Sequence, residues 1–211
     1  MIILSESVCS KCNAPFLLFH KIQNIFKSIS ARKSLKGQIK LHLACGDHIL
    51  DTWANIDITK KMGVITHNLT SPLPLESGTV SFIFSEHFIE HLTFDQAKEL
   101  LSECNRVLKP NGILRISTPN LKKIIDEYLT GRISEWTDVG FSPSTPCRMM
   151  NEAMRSWGHQ FLYDSHELEA LLQYCGFREL THVAWHDSIH TELRNLECRP
   201  FHGEIIIEAM K

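Results

Sequence analysis

The chain has none of the long apolar runs of a membrane protein and no excess of charge of one sign. No stretch of its 211 residues approaches the roughly 18 consecutive apolar residues that suggest a membrane-spanning helix. Its 22 basic and 24 acidic side chains leave a formal net charge of −2, so no global field attracts nucleic acid or an anionic membrane. We therefore expect neither a membrane span nor a nucleic-acid partner.

A disulfide framework and a secretion signal are also missing. The seven cysteines are odd in number and irregularly spaced, and several lie in apolar periodic stretches, where a free thiol packs as a small hydrophobic group. The N-terminus lacks the basic start and the apolar core of a signal peptide. We therefore expect a reducing, cytoplasmic setting.

Two cysteine or histidine patterns fall short of a metal site. Cys9 and Cys12 form half of a zinc knuckle, but no second pair follows at a suitable spacing, and a structural zinc ion needs four ligands. His186 and His190, with His182 nearby, have the spacing of helical zinc ligands. That region is predicted to be the end of a strand and a loop, where this spacing does not align two side chains. The sequence therefore predicts no metal site.

What is present fits one globular domain with a separate N-terminal segment. The hydrophobic fraction of 43% and the charged fraction of 22% are ordinary for a globular protein, and the length suits one domain. Apolar residues recur at helical spacing between Pro15 and Lys33, which predicts an amphipathic helix within residues 1–38. We expect that helix to pack on a domain formed by residues 39–211 or to cap its ligand site.

Strand and helix patterns alternate along residues 39–211. A capping box at Thr93 opens the first predicted helix. Residues 131–160 have no clear period and are predicted to be a long loop, of the kind that often forms a lid or a substrate-binding insert. The alternation indicates an α/β fold with a mostly parallel sheet flanked by helices. Strands are predicted at residues 39–44, 53–57, 64–67, 80–85, 113–118, 180–185 and 204–209, and helices at residues 93–108, 121–129 and 165–175.

Small and polar residues stand where the predicted parallel strands end, and ligands of open α/β sheets bind at that edge. Gly46 follows the first strand and lets the backbone approach a ligand closely. Asp57 ends the second strand and can accept hydrogen bonds from two ribose hydroxyls, while the amide of Asn68 can bond an adenine edge. These positions suit a nucleoside ligand. The set at the strand ends is Ala44, Cys45, Gly46, Asp57, Asn68, Leu69, Ser85, Glu86 and His87.

Five segments, in order, resemble class I S-adenosylmethionine-dependent methyltransferases, and among these the small type 11 group of predicted methyltransferases. They are Leu-His-Leu-Ala-Cys-Gly (41–46), Trp-Ala-Asn-Ile-Asp-Ile (53–58), Asn-Leu-Thr-Ser-Pro-Leu-Pro-Leu (68–75), Ser-Glu-His-Phe-Ile-Glu-His-Leu (85–92) and Arg-Val-Leu-Lys-Pro-Asn-Gly-Ile-Leu-Arg-Ile-Ser-Thr-Pro (106–119). Each segment alone is a weak signal, whereas five in order at the family spacing are a strong one. The resemblance covers most of the chain outside residues 1–38.

The resemblance implies a Rossmann-like, seven-stranded sheet with an antiparallel last strand, helices on both faces, and S-adenosylmethionine as the cofactor. It implies that the loop at Gly46 holds the methionine end, that Asp57 holds the ribose, and that Asn68 and Leu69 face the adenine. The end of the fourth strand would form the floor near the sulfonium. The implied cofactor-binding residues are Ala44, Cys45, Gly46, Asp57, Ile58, Asn68, Leu69, Ser85 and Glu86.

Three departures from the family pattern are present, and the first two keep a second interpretation open. Gly46 stands alone where the family has two or three glycines. Asn68 stands where the family usually has aspartate, although asparagine still offers an acceptor and adds a donor. The stretch from Cys45 to Trp53 is short for a parallel crossover, so the first helix must be vestigial. We expect methyl transfer to an unidentified small molecule or metabolite, and the alternative is a catalytically inactive binding or regulatory protein of the same fold.

A dinucleotide-dependent oxidoreductase is discounted, because residues 44–49 lack the Gly-x-Gly-x-x-Gly turn that such enzymes need. For the methyltransferase interpretation, two histidines are candidates for removing a proton from the acceptor, since histidine titrates near neutrality. His87 ends the fourth strand, and His159 ends the predicted long loop. An acceptor that is already ionised needs no base, and Glu90 and His91 are interpreted as structuring a turn. Large apolar residues of the predicted loop either form a wall for the acceptor or bury against the sheet: Trp136, Phe141, Met149, Met150 and Trp157.

Overall fold

Seven strands form a single sheet in the computed structural model, which describes residues 39–136 and 139–211. The predicted N-terminal helix and the Cys9 and Cys12 pair lie outside the described residues. The strands are β1 (Ile39–Leu43), β2 (Ala54–Asp57), β3 (Val64–Thr66), β4 (Val80–Glu86), β5 (Leu108–Thr118), β6 (Arg178–His182) and β7 (Ile205–Met210). Their order is β3-β2-β1-β4-β5-β7-β6, and β7 runs antiparallel to its neighbours β5 and β6. The predicted seven-stranded fold with an antiparallel last strand is confirmed.

The helices begin and end largely where local signals place them. In the described ranges they are α1 (Phe94–Val107), α2 (Leu121–Thr130), α3 (Pro146–Arg155) and α4 (Ser165–Tyr174). Thr93 Oγ1 accepts from the N of Gln96, and Gln96 Oε1 accepts from the N of Thr93, so the predicted capping box is confirmed. Gly131 ends α2 with a φ of 71°, as helix-ending glycines commonly do. None of these helices is long and apolar enough to cross a membrane.

Helix α3 lies inside the stretch predicted to be a loop, so that prediction was wrong. Thr145 caps the helix by accepting from the N of Arg148, and Pro146 occupies the first turn, where its fixed φ is favourable. Only Met149 and Ala153 are buried, and two buried positions give too weak a period to detect. The sequence Thr145-Pro146 was the available signal for the start of this helix.

Several element boundaries also differ from the predictions, and β5 begins at Leu108 rather than at residue 113. Asp164, rather than Ser165, caps α4, because its Oδ1 accepts from the N of Glu167 at 2.8 Å. The sixth strand begins at Arg178 rather than Leu180 and ends earlier than predicted. It lies at the edge of the sheet, and its exposed side chains give little hydrophobic alternation to detect.

One face of the sheet packs against α1 and α4. Leu101 of α1 and Leu168 of α4 belong to the same buried cluster as Leu43, Ile83 and Ile207 of the central strands. Side chains alternate between the faces along a strand, so these strand residues mark one face. This layer holds the carboxyl ends of the strands in place.

The other face is covered differently in the part of the chain that the structure describes. Residues 44–53, which connect β1 to β2, contain no helix, as their short length predicted. Phe84 on this face packs with Trp53, Leu193 and Leu196, and the two leucines belong to the long connection between β6 and β7. In the described residues, that connection, with one short 3-10 turn, covers the part of this face beside Phe84.

Candidate functional site

A hydrogen bond joins the loop after β1 to the end of β2. Asp57 Oδ2 accepts from the N of Gly46 at 3.0 Å, and Asp57 Oδ1 accepts from the N of Thr59 at 2.7 Å. Ala44 and Gly46 have positive φ values of 52° and 54°, so the chain turns sharply. A side-chain carbon built on Gly46 would meet nothing within 4 Å, so the backbone here faces open space. The structure thus brings together three of the residues predicted to bind the cofactor.

The carboxylate of Asp57 is held in its ionised form. Burial raises the pKa of Asp57, but the backbone donors of Thr59 and Gly46 outweigh burial and bring the pKa below its ordinary value. Each carboxylate oxygen has two acceptor sites, so each oxygen can accept one further donor, such as a ribose hydroxyl. Cys45, by contrast, is buried, and burial raises the pKa of its thiol to about 11. Cys45 therefore contributes packing and backbone rather than a thiolate.

The predicted adenine side lies at the ends of β2 and β3, which pair with each other. Ile58 is 69% exposed and offers an apolar surface to a planar ligand. Asn68 Oδ1 accepts from both the N and the Oγ1 of Thr70, so it stabilises the turn after β3. Leu69 is buried in the core and can offer a ligand only its backbone.

The side chains at the end of β4 contact different parts of the chain. Ser85 is buried and pairs in register with Leu43 of β1, close to the first loop. The carboxylate of Glu86 accepts from the N of Cys198 at 3.1 Å and from the N of Arg199 at 3.2 Å. Both donors belong to the connection between β6 and β7. The sequence did not predict this contact, which fixes the Glu86 carboxylate to that connection.

His87 lines a pocket at the carboxyl edge of the sheet. The floor comes from the ends of β4 and β5, and the walls come from α2, the 136–159 stretch and the start of β7. The pocket brings together His87 and His159, the two predicted catalytic residues, which are far apart in the sequence. Its lining includes His87, Glu90, Asn120, Trp136, Trp157, His159, Arg199 and Glu204.

His87 lies between two acids. Its Nδ1 is 3.4 Å from Glu90 Oε1, and its Nε2 is 3.4 Å from Glu204 Oε1. Burial lowers the pKa of His87, but the interactions with Glu204 and Glu90 outweigh burial and raise the pKa to about 9. Burial raises the pKa of Glu90, but the partner His87 brings it below the ordinary value. These contacts favour the protonated, cationic form of His87 at neutral pH.

The stability of the protein is expected to fall at alkaline pH because of His87. Its pKa of about 9 in the folded state lies above the ordinary value of 6.5. Its stabilising contribution is therefore fully present below the ordinary value and is lost as the pH rises through the folded value. A shift of this size corresponds to on the order of 3 kcal/mol. Urea unfolding at about pH 6 and about pH 10 should show this loss in the wild type and a much smaller one in His87→Gln; equal losses would contradict the ion-pair assignment.

His159 is fixed in one tautomer by a backbone carbonyl. Its Nδ1 lies 2.7 Å from the O of Ala153, a hydrogen bond that requires the proton on Nδ1. Burial is the main cause that lowers the pKa of His159 below its ordinary value, so the ring is neutral at neutral pH. Nε2 is then the proton acceptor of the ring, as a general base requires.

The large apolar residues of the predicted loop divide between the pocket and the core. Trp136 and Trp157 line the pocket, with ring centroids 6.2 Å apart. Phe141 and Met149 are buried in a separate cluster, against which Met150 packs. Phe141 and Met149 thus bury against Ile124 of α2 rather than against the sheet, whereas the two tryptophans face the pocket. Trp157 also has a φ of 57°, a strained value for a large side chain, and such strain is often found at functional sites.

The sequence pattern did not predict three pocket residues that precede β7. Arg199, His202 and Glu204 line the pocket from the connection between β6 and β7. Because β7 is antiparallel, its first residues lie at the edge where the parallel strands end. An acid directly before a predicted antiparallel last strand was therefore the available signal for Glu204.

The histidines near the end of β6 are separated in the structure. His182 Nε2 pairs with a carboxylate oxygen of Glu169, whereas His186 Nε2 is hydrogen-bonded to the carbonyl of Glu197 at 2.8 Å. Within the described ranges, two other groups each place three potential ligand atoms within 4.8 Å of one another. These groups are His48, Glu86 and Cys198, and Glu90, His91 and His159.

Comparison with known proteins agrees with this geometry. Residues 43–116 match a family model described as a methyltransferase domain. A probable S-adenosylmethionine-dependent methyltransferase from Mycolicibacterium smegmatis is 45% identical over 56 residues, which are 26% of this chain and 21% of that protein. This part of the chain is therefore similar to S-adenosylmethionine-dependent methyltransferases. It spans about a fifth of the length of the curated relative.

Solved structures of methyltransferases share the fold of this chain. The S-adenosylmethionine-dependent methyltransferase from Archaeoglobus fulgidus matches with a TM-score of 0.51 at 20% identity, over 94% of this chain and 100% of that chain. One from Mesorhizobium loti matches with a TM-score of 0.51 at 14% identity, over 88% and 96%. A Haloferax volcanii complex of the Trm112 methyltransferase activator with a methyltransferase matches with a TM-score of 0.52 at 12% identity, over 97% and 99%. At these identities the likeness shows the fold alone.

Proposed function

We propose that this domain transfers the methyl group of S-adenosylmethionine to a small-molecule acceptor bound in the pocket beside His87. The observation that carries the proposal is the location of this pocket at the carboxyl edge of the sheet, beside the ends of β4 and β5. Open α/β sheets bind their ligands at that edge. Trp136 and Trp157 give the pocket apolar walls, and a few polar groups converge in it, as is usual for a small-molecule site.

In this proposal, the cofactor lies across the ends of β1, β2 and β4. The backbone from Ala44 to Gly46 holds the methionine end, Asp57 accepts from the ribose hydroxyls, and Ile58 covers the adenine. The remainder of the cofactor site is lined by Asn68, Leu69 and Ser85. The open space at Gly46 and the ionised carboxylate of Asp57 support this fit. The contact of Glu86 with the 198–199 backbone leads us to give Glu86 a supporting role instead of a direct one.

The cofactor supplies an electrophilic methyl group on sulfur. The protein must hold the acceptor in line with that methyl group and take up the acceptor's proton. We assign proton uptake to Nε2 of His159, which is neutral and fixed in orientation by Ala153. His87 stays protonated between Glu90 and Glu204 and holds these two carboxylates, which line the same pocket, in place. The two tryptophans hold the apolar part of the acceptor and exclude water.

The net charge supports the proposed type of acceptor, and the cysteines support the proposed compartment. A net charge of −2 favours a small-molecule acceptor over a polyanionic nucleic acid. Cys45, Cys104, Cys147, Cys175 and Cys198 are free thiols, which suits a reducing, cytoplasmic compartment.

Asp57→Ala is expected to weaken binding of S-adenosylmethionine roughly 10- to 100-fold, because charge-assisted hydrogen bonds to the ribose are lost. Isothermal titration calorimetry with the purified chain measures this change. Asp126→Ala, which removes an exposed carboxylate of α2, is the matched control and should bind like the wild type. A thermal melt of Asp57→Ala checks that the first loop still folds. Equal affinity of Asp57→Ala and the wild type would contradict the cofactor assignment.

Turnover distinguishes an enzyme from a binding protein of the same fold. We would measure formation of S-adenosylhomocysteine with a panel of small hydroxyl, amine and carboxylate acceptors, with acceptor-free samples as the baseline. The proposal expects stimulation by at least one acceptor class, and a lower rate in Asp57→Ala when the cofactor is below saturation. Tight cofactor binding with no stimulation by any class would favour the inactive alternative.

A further inference from the structure

Three side chains of the metal-ligating types converge outside the acceptor pocket. His48 comes from the loop after β1, Glu86 from the end of β4, and Cys198 from the connection between β6 and β7. Each offers one ligand atom, and these atoms all lie within 4.8 Å of one another. We propose that His48, Glu86 and Cys198 form a binding site for a zinc-type transition-metal ion.

The chemistry and spacing of the three ligands suit zinc. Thiolate, imidazole and carboxylate are its usual protein ligands, and bonds of about 2.0–2.3 Å at tetrahedral angles separate the ligand atoms by roughly 3.4–3.6 Å. Cys198 Sγ already lies 3.2 Å from Glu86 Oε2, and the His48 ligand atom lies within 4.8 Å of both. A site with a sulfur and a nitrogen ligand selects against magnesium and calcium, which prefer oxygen ligands.

Contacts around the site orient the ligands before any ion binds. Glu86 is buried, and the N of Cys198 and the N of Arg199 fix its carboxylate, as outer contacts of metal ligands do. His48 Nδ1 is buried with no hydrogen-bond partner among the described residues. Buried polar atoms without a partner are rare and need an explanation. A bound ion that is coordinated by Nδ1 of His48 supplies this explanation.

Binding is a ligand exchange in which the charges and atoms balance. The Cys198 thiol, which donates to Glu86 in the structure, gives its proton to solvent as the sulfur–metal bond forms, so one proton is released per ion. Three protein ligands leave a fourth position for water. The ion would connect residues 44–53 to the β6–β7 connection, and would thereby hold in place the helix-free loop that carries Gly46.

Cobalt(II) titration of the chelator-treated, reduced full-length chain tests the proposal. We expect one ion per chain, with visible bands of tetrahedral cobalt and a near-ultraviolet sulfur-to-cobalt charge-transfer band, all displaced by zinc. Cys198→Ser should abolish the charge-transfer band and weaken zinc binding at least about tenfold, and His48→Ala should weaken it similarly. Cys147→Ser, which changes another exposed cysteine, is the matched control and should leave the spectrum unchanged.

Two results would overturn the proposal. The first is the absence of stoichiometric cobalt or zinc binding by the wild type. The second is a spectrum that survives in Cys198→Ser and disappears in Cys9→Ser/Cys12→Ser, which would place the ion on the N-terminal cysteine pair. Circular dichroism of each metal-free variant checks that it folds. These measurements involve no methyl donor, so their failure is distinct from a failure of the proposed methyl transfer.

Discussion

Replacing Arg115 with methionine is expected to lower the free energy of unfolding by about 3–5 kcal/mol. Arg115 donates from Nε to Glu197 and from Nη1 to Glu208, both at 2.7 Å, and all three residues are buried. Without the guanidinium group, two carboxylates would stay buried with no opposite charge. The same arginine also donates to the carbonyl of Asp187 at 2.7 Å, so the β6–β7 connection would lose its attachment to β5.

Urea unfolding of matched variants tests this explanation. The triple variant Arg115→Met/Glu197→Gln/Glu208→Gln removes the two carboxylate charges together with the guanidinium group. It should recover a large part of the stability that Arg115→Met loses. Lys122→Met breaks an exposed pair with Asp126 and should change stability by less than about 1 kcal/mol. If Arg115→Met were no less stable than Lys122→Met, the buried ion pairs would not hold the connection in place.

His159→Gln is expected to lower turnover roughly 100- to 10,000-fold, the range for loss of a general base. Glutamine has no ring nitrogen that could take up a proton at neutral pH. Affinity for S-adenosylmethionine should stay the same, because His159 lies in the acceptor pocket, away from Gly46 and Asp57. The expected signature is therefore a loss of kcat without a loss of cofactor binding.

The pH profile separates this role from a merely structural one. In the wild type, kcat should rise with pH through a pKa below the ordinary value for histidine, because burial favours the neutral ring. That rise should be absent in His159→Gln. His166→Gln, which changes an exposed histidine of α4, is the control and should behave like the wild type. An undiminished kcat in His159→Gln would indicate that the acceptor reacts in an already ionised form.

Predictions from sequence succeeded where neighbours in the chain decide the structure. The capping box at Thr93 and the glycine end at Gly131 are local hydrogen-bonding and backbone effects, and both are confirmed. The length of residues 44–53 excluded a full crossover helix, because a chain that short cannot form one between parallel strands. Predictions were weaker at the edge of the sheet, where β6 buries few side chains.

The alternation of strands and helices was sufficient to predict a mostly parallel sheet, and the family resemblance added the seven strands and the antiparallel last strand. The order of strand ends selected Gly46 and Asp57 as neighbours, because parallel strands end at one edge of a sheet. Only the tertiary structure decided the charge states of the histidines. His87 becomes a cation because Glu204, from the far end of the chain, lies beside it. Burial makes the neutral ring of His159 favourable, and a helix that the sequence pattern did not reveal provides the Ala153 carbonyl that fixes its tautomer. Such pKa values depend on burial and on partners that are distant in the sequence. The spacing of residues along the chain gives no information about either.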